Sequence, residues 1–209
     1  DHRDLPSFPT RRSSDLVVQA ALSGYSDLAM RTVAREHGAS YTLAEVVLDE
    51  HVLQKGKLRR RILAVPEHDH PVGGQLMGSD PATFGRAARE LVHAGYDVVD
   101  VNFGCPVTKV LGRRRGGWLL QDPDQALAIV DAVLQSVAGD VAVTVKMRRG
   151  SDDSPDAETR FWTILEGAIA RGVTAATVHP RSVEQKYAGP SRWPFLAEVK
   201  RRVGAFPIL

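Results

Sequence analysis

The feature that most limits what this chain can fold into is a strict alternation of short apolar, β-branched runs with amphipathic stretches of helical period. From Val17 onward, Val17–Leu22, Tyr41–Val47, Val72–Leu76, Asp97–Val101, Val141–Val145 and Thr174–Val178 read as six strands, with a seventh beginning at Leu209. Helical stretches separate them. Ser26-Asp27 opens one that runs to His37 and stops at Gly38. Asp80-Pro81 opens another to Ala94, and Asp122-Pro123 a third ending near Gly139. In each, a short oxygen-bearing side chain satisfies the free N–H groups of the first turn, and Pro is tolerated at the first helical position. Two more helices span about Glu158 to Arg171 and Ser191 to Arg202, and Arg59-Arg60-Arg61 reads as a basic loop.

Alternation of this kind implies a parallel sheet with helices as crossovers. The strand Val141-Ala142-Val143-Thr144-Val145 is almost wholly apolar, as expected where both faces are covered. A doubly wound open sheet and a (β/α)₈ barrel both satisfy the pattern. No G-x-G-x-x-G follows the first strand, and distinctive polar residues follow all six strands. An open sheet concentrates its site at one switch point, whereas a barrel draws on nearly every strand end. The expected fold is therefore α/β, a (β/α)₈ TIM barrel that is incomplete, with about six βα units and the start of strand 7.

Residues 1–16, DHRDLPSFPTRRSSDL, show neither period and read as a non-native or disordered tail, leaving 17–209 as the folded part. With 43% hydrophobic residues the chain is not disordered, and no apolar run reaches the ~18 residues of a membrane span. A single cysteine, Cys105, excludes an internal disulfide framework and a cysteine-rich zinc site, and makes a reducing, cytoplasmic setting the expectation. A formal charge of +2 permits an anionic partner without requiring one.

The strand ends hold the chemistry. Asn102-Phe103-Gly104-Cys105-Pro106 places a thiol in a stiff turn after the fourth strand. Lys109, Arg113, Arg114 and Arg115 follow within ten residues, and nearby cations favour thiolate. These arginines read either as a ligand-facing group or as a solvated loop paired with Asp122 and Asp124. Lys146 ends an apolar strand, a costly place for a charge unless an anion meets it or it snorkels to the rim. His179-Pro180-Arg181 ends the sixth strand, with Gln185, Tyr187 and Trp193 beyond. Gln75 ends the third strand beside Gly73-Gly74, Glu45 lies near the end of the second, and Ser23-Gly24 follows the first. This polar ring suits a planar, anionic cofactor better than a metal: no H-E-x-x-H, Cys/His cluster, P-loop or G-x-S-x-G elbow is present.

Asn102-Phe103-Gly104-Cys105-Pro106-Val107-Thr108-Lys109-Val110 resembles the N-x-G-C-P-x-x-[KR]-V motif of the tRNA-dihydrouridine synthases. Gly116-Gly117-Trp118-Leu119-Leu120, Val145-Lys146-Met147-Arg148, Val178-His179-Pro180-Arg181 and Ala20–Asp27 are similar to further motifs of that family, in the same order. The resemblance implies a flavin mononucleotide (FMN) enzyme that uses NADPH to reduce the C5–C6 bond of selected uridines in tRNA. It makes Cys105 the general acid. It gives Ala21, Leu22, Ser23, Gln75, Lys146 and His179 to the flavin, and Asn102, Arg148, Arg181 and Tyr187 to the substrate. Arg113–Arg115 would meet RNA phosphates. No metal and no membrane are implied. Ala21-Leu22 replaces the family's Pro-Met, and Trp118 stands where small residues are common. The family's flavin-phosphate loops and helical tRNA-binding domain belong after the segment seen here, so the chain is expected to be partial. Two other readings stay open on the residues: a flavin barrel acting on free pyrimidines, and a non-catalytic RNA-binding fragment.

Overall fold

The computed structural model describes residues 17–209; the tail reading of residues 1–16 lies outside them. The strands are β1 (Val18–Gln19), β2 (Tyr41–Leu43), β3 (Val47–Leu48), β4 (Val72–Met77), β5 (Val98–Phe103), β6 (Ala142–Arg148) and β7 (Ala175–His179). The helices are α1 (Leu28–Glu36), α2 (Asp49–Leu53), α3 (Lys57–Ile62), α4 (Pro81–His93), α5 (Thr108–Leu111), α6 (Pro123–Val137), α7 (Pro155–Arg171) and α8 (Trp193–Val203). Strand order is β1-β2-β4-β5-β6-β7, with β3 also paired to β4, and every pairing is parallel. The expected seventh strand begins beside β7: Ala176 N–H donates to Pro207 O at 3.1 Å and Leu209 N–H to Ala176 O at 2.9 Å. The architecture is the expected incomplete (β/α)₈ barrel.

The period of two along each strand sorts its side chains between two environments. Val99, Val101 and Phe103 of β5 and Val143, Val145 and Met147 of β6 join the large core under the helices. Their alternates face the concave side. There Tyr41, Leu43, Val98 and Ala142 form a small apolar floor, with Val18 and Ala21 packed on it. Gly73 makes room for that floor, since a Cβ there would lie 2.3 Å from the Tyr41 hydroxyl. Above it the inward residues turn polar: Gln75, Asp100 and Thr144 share one register level, Asn102 and Lys146 the next, Arg148 and His179 the last.

Several boundaries differ from the sequence reading. The first strand, expected over Val17–Leu22, is only Val18–Gln19. The buried Ser26 hydroxyl accepts from Leu22 N–H at 2.8 Å and donates to Ala20 O at 3.0 Å, folding the following residues into a turn. The second strand breaks at residues 44–46. Leu43 pairs with Gly73 but Val47 with Leu76, so one residue is extra on this strand, which is a bulge. The basic loop at Arg59–Arg61 is the helix α3, tied down by Arg59, whose Nε donates to Val52 O at 2.9 Å and whose guanidinium pairs with Glu90. The helix expected from Glu158 begins at Pro155, behind a Ser154 cap. No helix among the described residues is long and apolar enough to cross a membrane.

One buried ion cluster fixes α1 to the sheet. Asp69 is fully buried and accepts from Arg31 Nε at 3.2 and 3.0 Å and from the Arg35 guanidinium. Burial alone would raise its pKa, but the bonds from Arg31 and Arg35 hold it below the usual carboxylate range. Asp69→Asn leaves two guanidiniums without their anion and is expected to destabilise the fold by about 3–5 kcal/mol. A depressed folded pKa means that this stability is complete above about pH 4 and is lost as pH falls through the folded value. Urea denaturation of both proteins across pH checks this. A gap that narrows between pH 8 and 5 contradicts it.

Candidate active site

A chain of hydrogen bonds runs up the barrel interior to the cysteine turn. The Asp100 carboxylate, fully enclosed, accepts from the Thr144 hydroxyl and from Gln75 Nε2 at 2.6 Å. Gln75 Oε1 accepts from Asn102 Nδ2 at 2.8 Å. Asn102 Oδ1 then accepts from the N–H groups of Gly104 and Cys105, both at 3.0 Å. The bonds explain the local sequence: an Asn three residues before Cys105 replaces the strand ladder at the point where β5 ends. Asp100 is the residue the sequence reading missed. Its signal was present, because a carboxylate in Val98-Val99-Asp100-Val101 is costly unless donors meet it.

The turn carrying Cys105 is also held from outside. Gly117 N–H donates to Cys105 O at 3.0 Å. Gly116 has φ of 58° and lies so close that a Cβ would stand 2.9 Å from that of Cys105. Before this pair, the buried Arg115 forms an ion pair with Glu50 of α2. The three arginines therefore do not act alike. Arg115 anchors the turn, whereas Arg113 and Arg114 are exposed. Neither pairs with Asp122 or Asp124; Arg114 stacks on the Trp118 ring, 5.3 Å from its centroid. Arg148 lies within electrostatic reach of the thiol.

Lys146 rises between Asp100 and Arg148. Burial pulls its pKa down and the Asp100 charge opposes that shift; burial in turn pushes Asp100 upward, against its hydrogen bonds and Lys146. Asp100 is thus the carboxylate whose charge partly offsets the burial of Lys146, without an ion pair between the two. Arg148 is buried and largely committed to backbone: its Nε donates to Gly104 O at 2.9 Å, and its Nη1 to Ser182 O at 3.0 Å and Lys186 O at 2.7 Å. It lies over the Tyr187 ring at 5.4 Å, and Tyr187 is otherwise exposed. Arg181 holds Gly189 O through Nε at 3.2 Å and Nη2 at 2.9 Å. His179 Nδ1 accepts from Arg181 N–H at 3.2 Å, which leaves Nε2 as the protonated nitrogen of a neutral ring. Burial, then the charges of Arg148, Lys146 and Arg181, lower its pKa to about 4.

Gln75, Asn102, Cys105, Lys146, Arg148 and His179 are thus brought onto adjoining strand ends. Ala21, Leu22 and Ser23 lie in the turn after β1, at the far edge of the sheet, with no hydrogen bond to this network among the described residues. Glu45 is not part of the ring: it lines a cleft of about 490 Å³ on the outer side of the sheet, with Leu28, Arg61 and Tyr96. The hydrogen-bonding capacity left inside is strongly one-sided. Asn102, Lys146, Arg148 and His179 retain donors but no open acceptor, and Gln75 retains one of each. Such a set of donors suits a ligand edge rich in hydrogen-bond acceptors, with the Cys105 thiol close by.

The fold and these strand-end residues define a barrel that carries its chemistry at the C-terminal ends of its strands. The sequence model of the dihydrouridine synthase family matches residues 18–209, and the chain belongs to that family. It is 33% identical over 192 residues to a probable tRNA-dihydrouridine synthase of Rickettsia prowazekii (strain Madrid E), covering 91% of this chain and 57% of that protein. It is 32% identical over 187 residues to tRNA-dihydrouridine synthase B of Pseudomonas aeruginosa, covering 90% and 55%. The chain therefore spans little more than half the length of these relatives. Among solved structures, histamine dehydrogenase from Rhizobium sp. 4-9 superposes with a TM-score of 0.65 at 15% identity, over 91% of this chain and 39% of that one. A 2-naphthoyl-CoA reductase gives 0.62 at 13% identity, over 91% and 43%. At these identities the likeness concerns the fold.

The histidine gives a direct test. In a ¹H–¹³C titration the His179 ring is expected to change charge near pH 4 and to stay neutral from pH 5 to 8. Because this folded pKa lies below the unfolded value of about 6.5, the residue's contribution to stability falls as pH drops from 6.5 toward 4. A midpoint near 6.5 would show that the ring is neither desolvated nor facing these three cations.

Proposed function

We propose that the protein to which this chain belongs is an FMN-dependent tRNA-dihydrouridine synthase that reduces the C5–C6 bond of a uridine in tRNA with NADPH as the electron source. The observation that carries the reading is the donor-rich cluster of strand-end residues hydrogen-bonded to the Cys105 turn, in a chain of this family. Gln75, Lys146 and the Nε2–H of His179 would hold the flavin ring by its acceptor edge, with the backbone of Ala21, Leu22 and Ser23 at the strand-1 side. Reduced FMN, when bound, supplies a hydride for C6 of the uracil.

The protein's own residues do the rest. Cys105 Sγ–H gives its proton to C5, and the S–H electron pair remains as thiolate until solvent returns a proton. The Asn102 bonds to the two N–H groups of the turn hold that sulfur in place. The free N–H of Asn102 donates to a uracil carbonyl, and Arg181 and Tyr187 border the base. Arg148 contributes mainly by holding the loop of Ser182 and Lys186 against Gly104, with Tyr187 against its guanidinium. Lys146 keeps a positive charge where electron density accumulates, at a barrel level from which water is largely excluded. The target base must leave its stack to reach this depth.

Two variants of the full-length protein test the assignment. Cys105→Ala is expected to keep bound flavin and lose roughly 10²-fold or more in uridine reduction on unmodified tRNA. Lys146→Ala is expected to lower flavin content and slow both flavin reduction and uridine reduction. Undiminished turnover in the first, or unchanged flavin content and reduction by NADPH in the second, removes that residue from its role. Reduction of free uridine at the rate of tRNA favours the free-pyrimidine reading.

A further inference from the structure

Between the end of β4 and the segment after Cys105 lies a separate cleft of about 260 Å³, lined by Ser79, Arg113, Arg114, Trp118, Asp122 and Gln125. Most of its polar groups are already engaged. Asp122 caps α6, accepting from Gln125 N–H at 3.1 Å, and Gln125 Nε2 donates to Ser79 O at 2.6 Å. Arg113 and Arg114 differ: among the described residues, neither side chain makes a hydrogen bond or ion pair. Arg114 is nevertheless held in place. Its backbone is left-handed, with φ of 56°, and its guanidinium rests on the Trp118 ring, an interaction that uses none of its N–H donors. Trp118 is itself half-buried, packed against the main core.

We propose that this cleft is a phosphate subsite for the RNA strand, with Arg113 and Arg114 as its donors and Trp118 as the platform that aims Arg114. The proposal rests on the tRNA reading above and specifies where the strand is gripped. Two guanidiniums offer up to ten N–H donors against one carboxylate already used as a cap, so an added anion is matched. Placement favours a strand over a small ligand. The cleft is open at the rim, and the Gly116-Gly117 turn that joins it to the cysteine segment touches Cys105 directly. A strand that delivers one base to Cys105 can cross this turn with its phosphates on the cleft. Arg115 plays no part, since it is buried on Glu50.

The test uses the full-length protein and unmodified tRNA. Arg113→Ser/Arg114→Ser is expected to weaken tRNA binding and reduce the slope of log K against log salt by roughly 0.7 to 0.9 for each phosphate that is no longer neutralised. Trp118→Leu, which keeps the core side filled, is expected to weaken binding in the same direction as Arg114→Ser alone. Arg60→Ser/Arg201→Ser removes the same charge from exposed positions elsewhere and is expected to change the slope less. Equal slopes in the two double variants mean a diffuse field and overturn the subsite. An unchanged RNA slope with a raised KM for NADPH assigns the cleft to the dinucleotide's phosphate and also overturns it. Uridine reduction by the wild type at saturating tRNA is measured alongside. Its absence removes the tRNA reading itself, whereas its presence with unchanged binding in the variants removes only the subsite.

Discussion

The organisation of the site depends on one enclosed carboxylate. Asp100 lies inside the barrel with nothing but donors around it: the Thr144 hydroxyl, Gln75 Nε2 and, more distantly, the Lys146 charge. Its two oxygens accept from Thr144 and from Gln75, which sets the way the Gln75 amide points. That amide in turn dictates Asn102, and Asn102 fixes the N–H groups of Gly104 and Cys105. Direction is passed upward through two amides that could otherwise face either way. The same anion offsets the desolvation of Lys146, so hydrogen-bond direction and charge in the cup share one origin.

Cations around this centre divide the remaining work by depth. Arg31 and Arg35 bind Asp69 behind the sheet, Arg115 binds Glu50 beneath the cysteine turn, and Arg148 satisfies backbone carbonyls between two loops. Each is largely used up by holding structure. Among the described residues near the cysteine turn, Lys146 within the barrel and Lys109, Arg113, Arg114 and Lys186 at its rim keep donors to spare. A positive side chain in this protein is thus best judged by what already occupies its N–H groups, not by how near in sequence it lies to Cys105.

Much of this was legible in the sequence. The strand-helix alternation gave the parallel barrel because covered strands lose polar residues on both faces, and the caps at Asp27, Asp80 and Asp122 all accept the expected backbone N–H. Gln75, Asn102, Lys146 and His179 stood out as polar residues ending apolar runs, and they do converge. Pairings between residues far apart in the chain were not legible. Nothing local ties Arg115 to Glu50, so three adjacent arginines looked equivalent. Nor does local pattern reveal that Arg148 faces carbonyls of residues 182 and 186. The short first strand and the helix at Lys57–Ile62 were misjudged for a related reason. A side-chain bond from Ser26 and a tertiary tie from Arg59 outweighed β-branching and the look of a basic loop.

The extra residue at positions 44–46 bears on the electrical character of the cup. Tyr41 and Leu43 face the interior, so an unbroken strand would aim the next residue of that parity, Glu45, inward as well. The bulge shifts the count by one, and Glu45 instead lines the outer cleft. A single residue of phase thus keeps a second carboxylate out of a chamber in which Asp100 already neutralises part of the charge on Lys146. A second carboxylate inside would cancel more of the positive charge that Lys146 and Arg148 place at these strand ends.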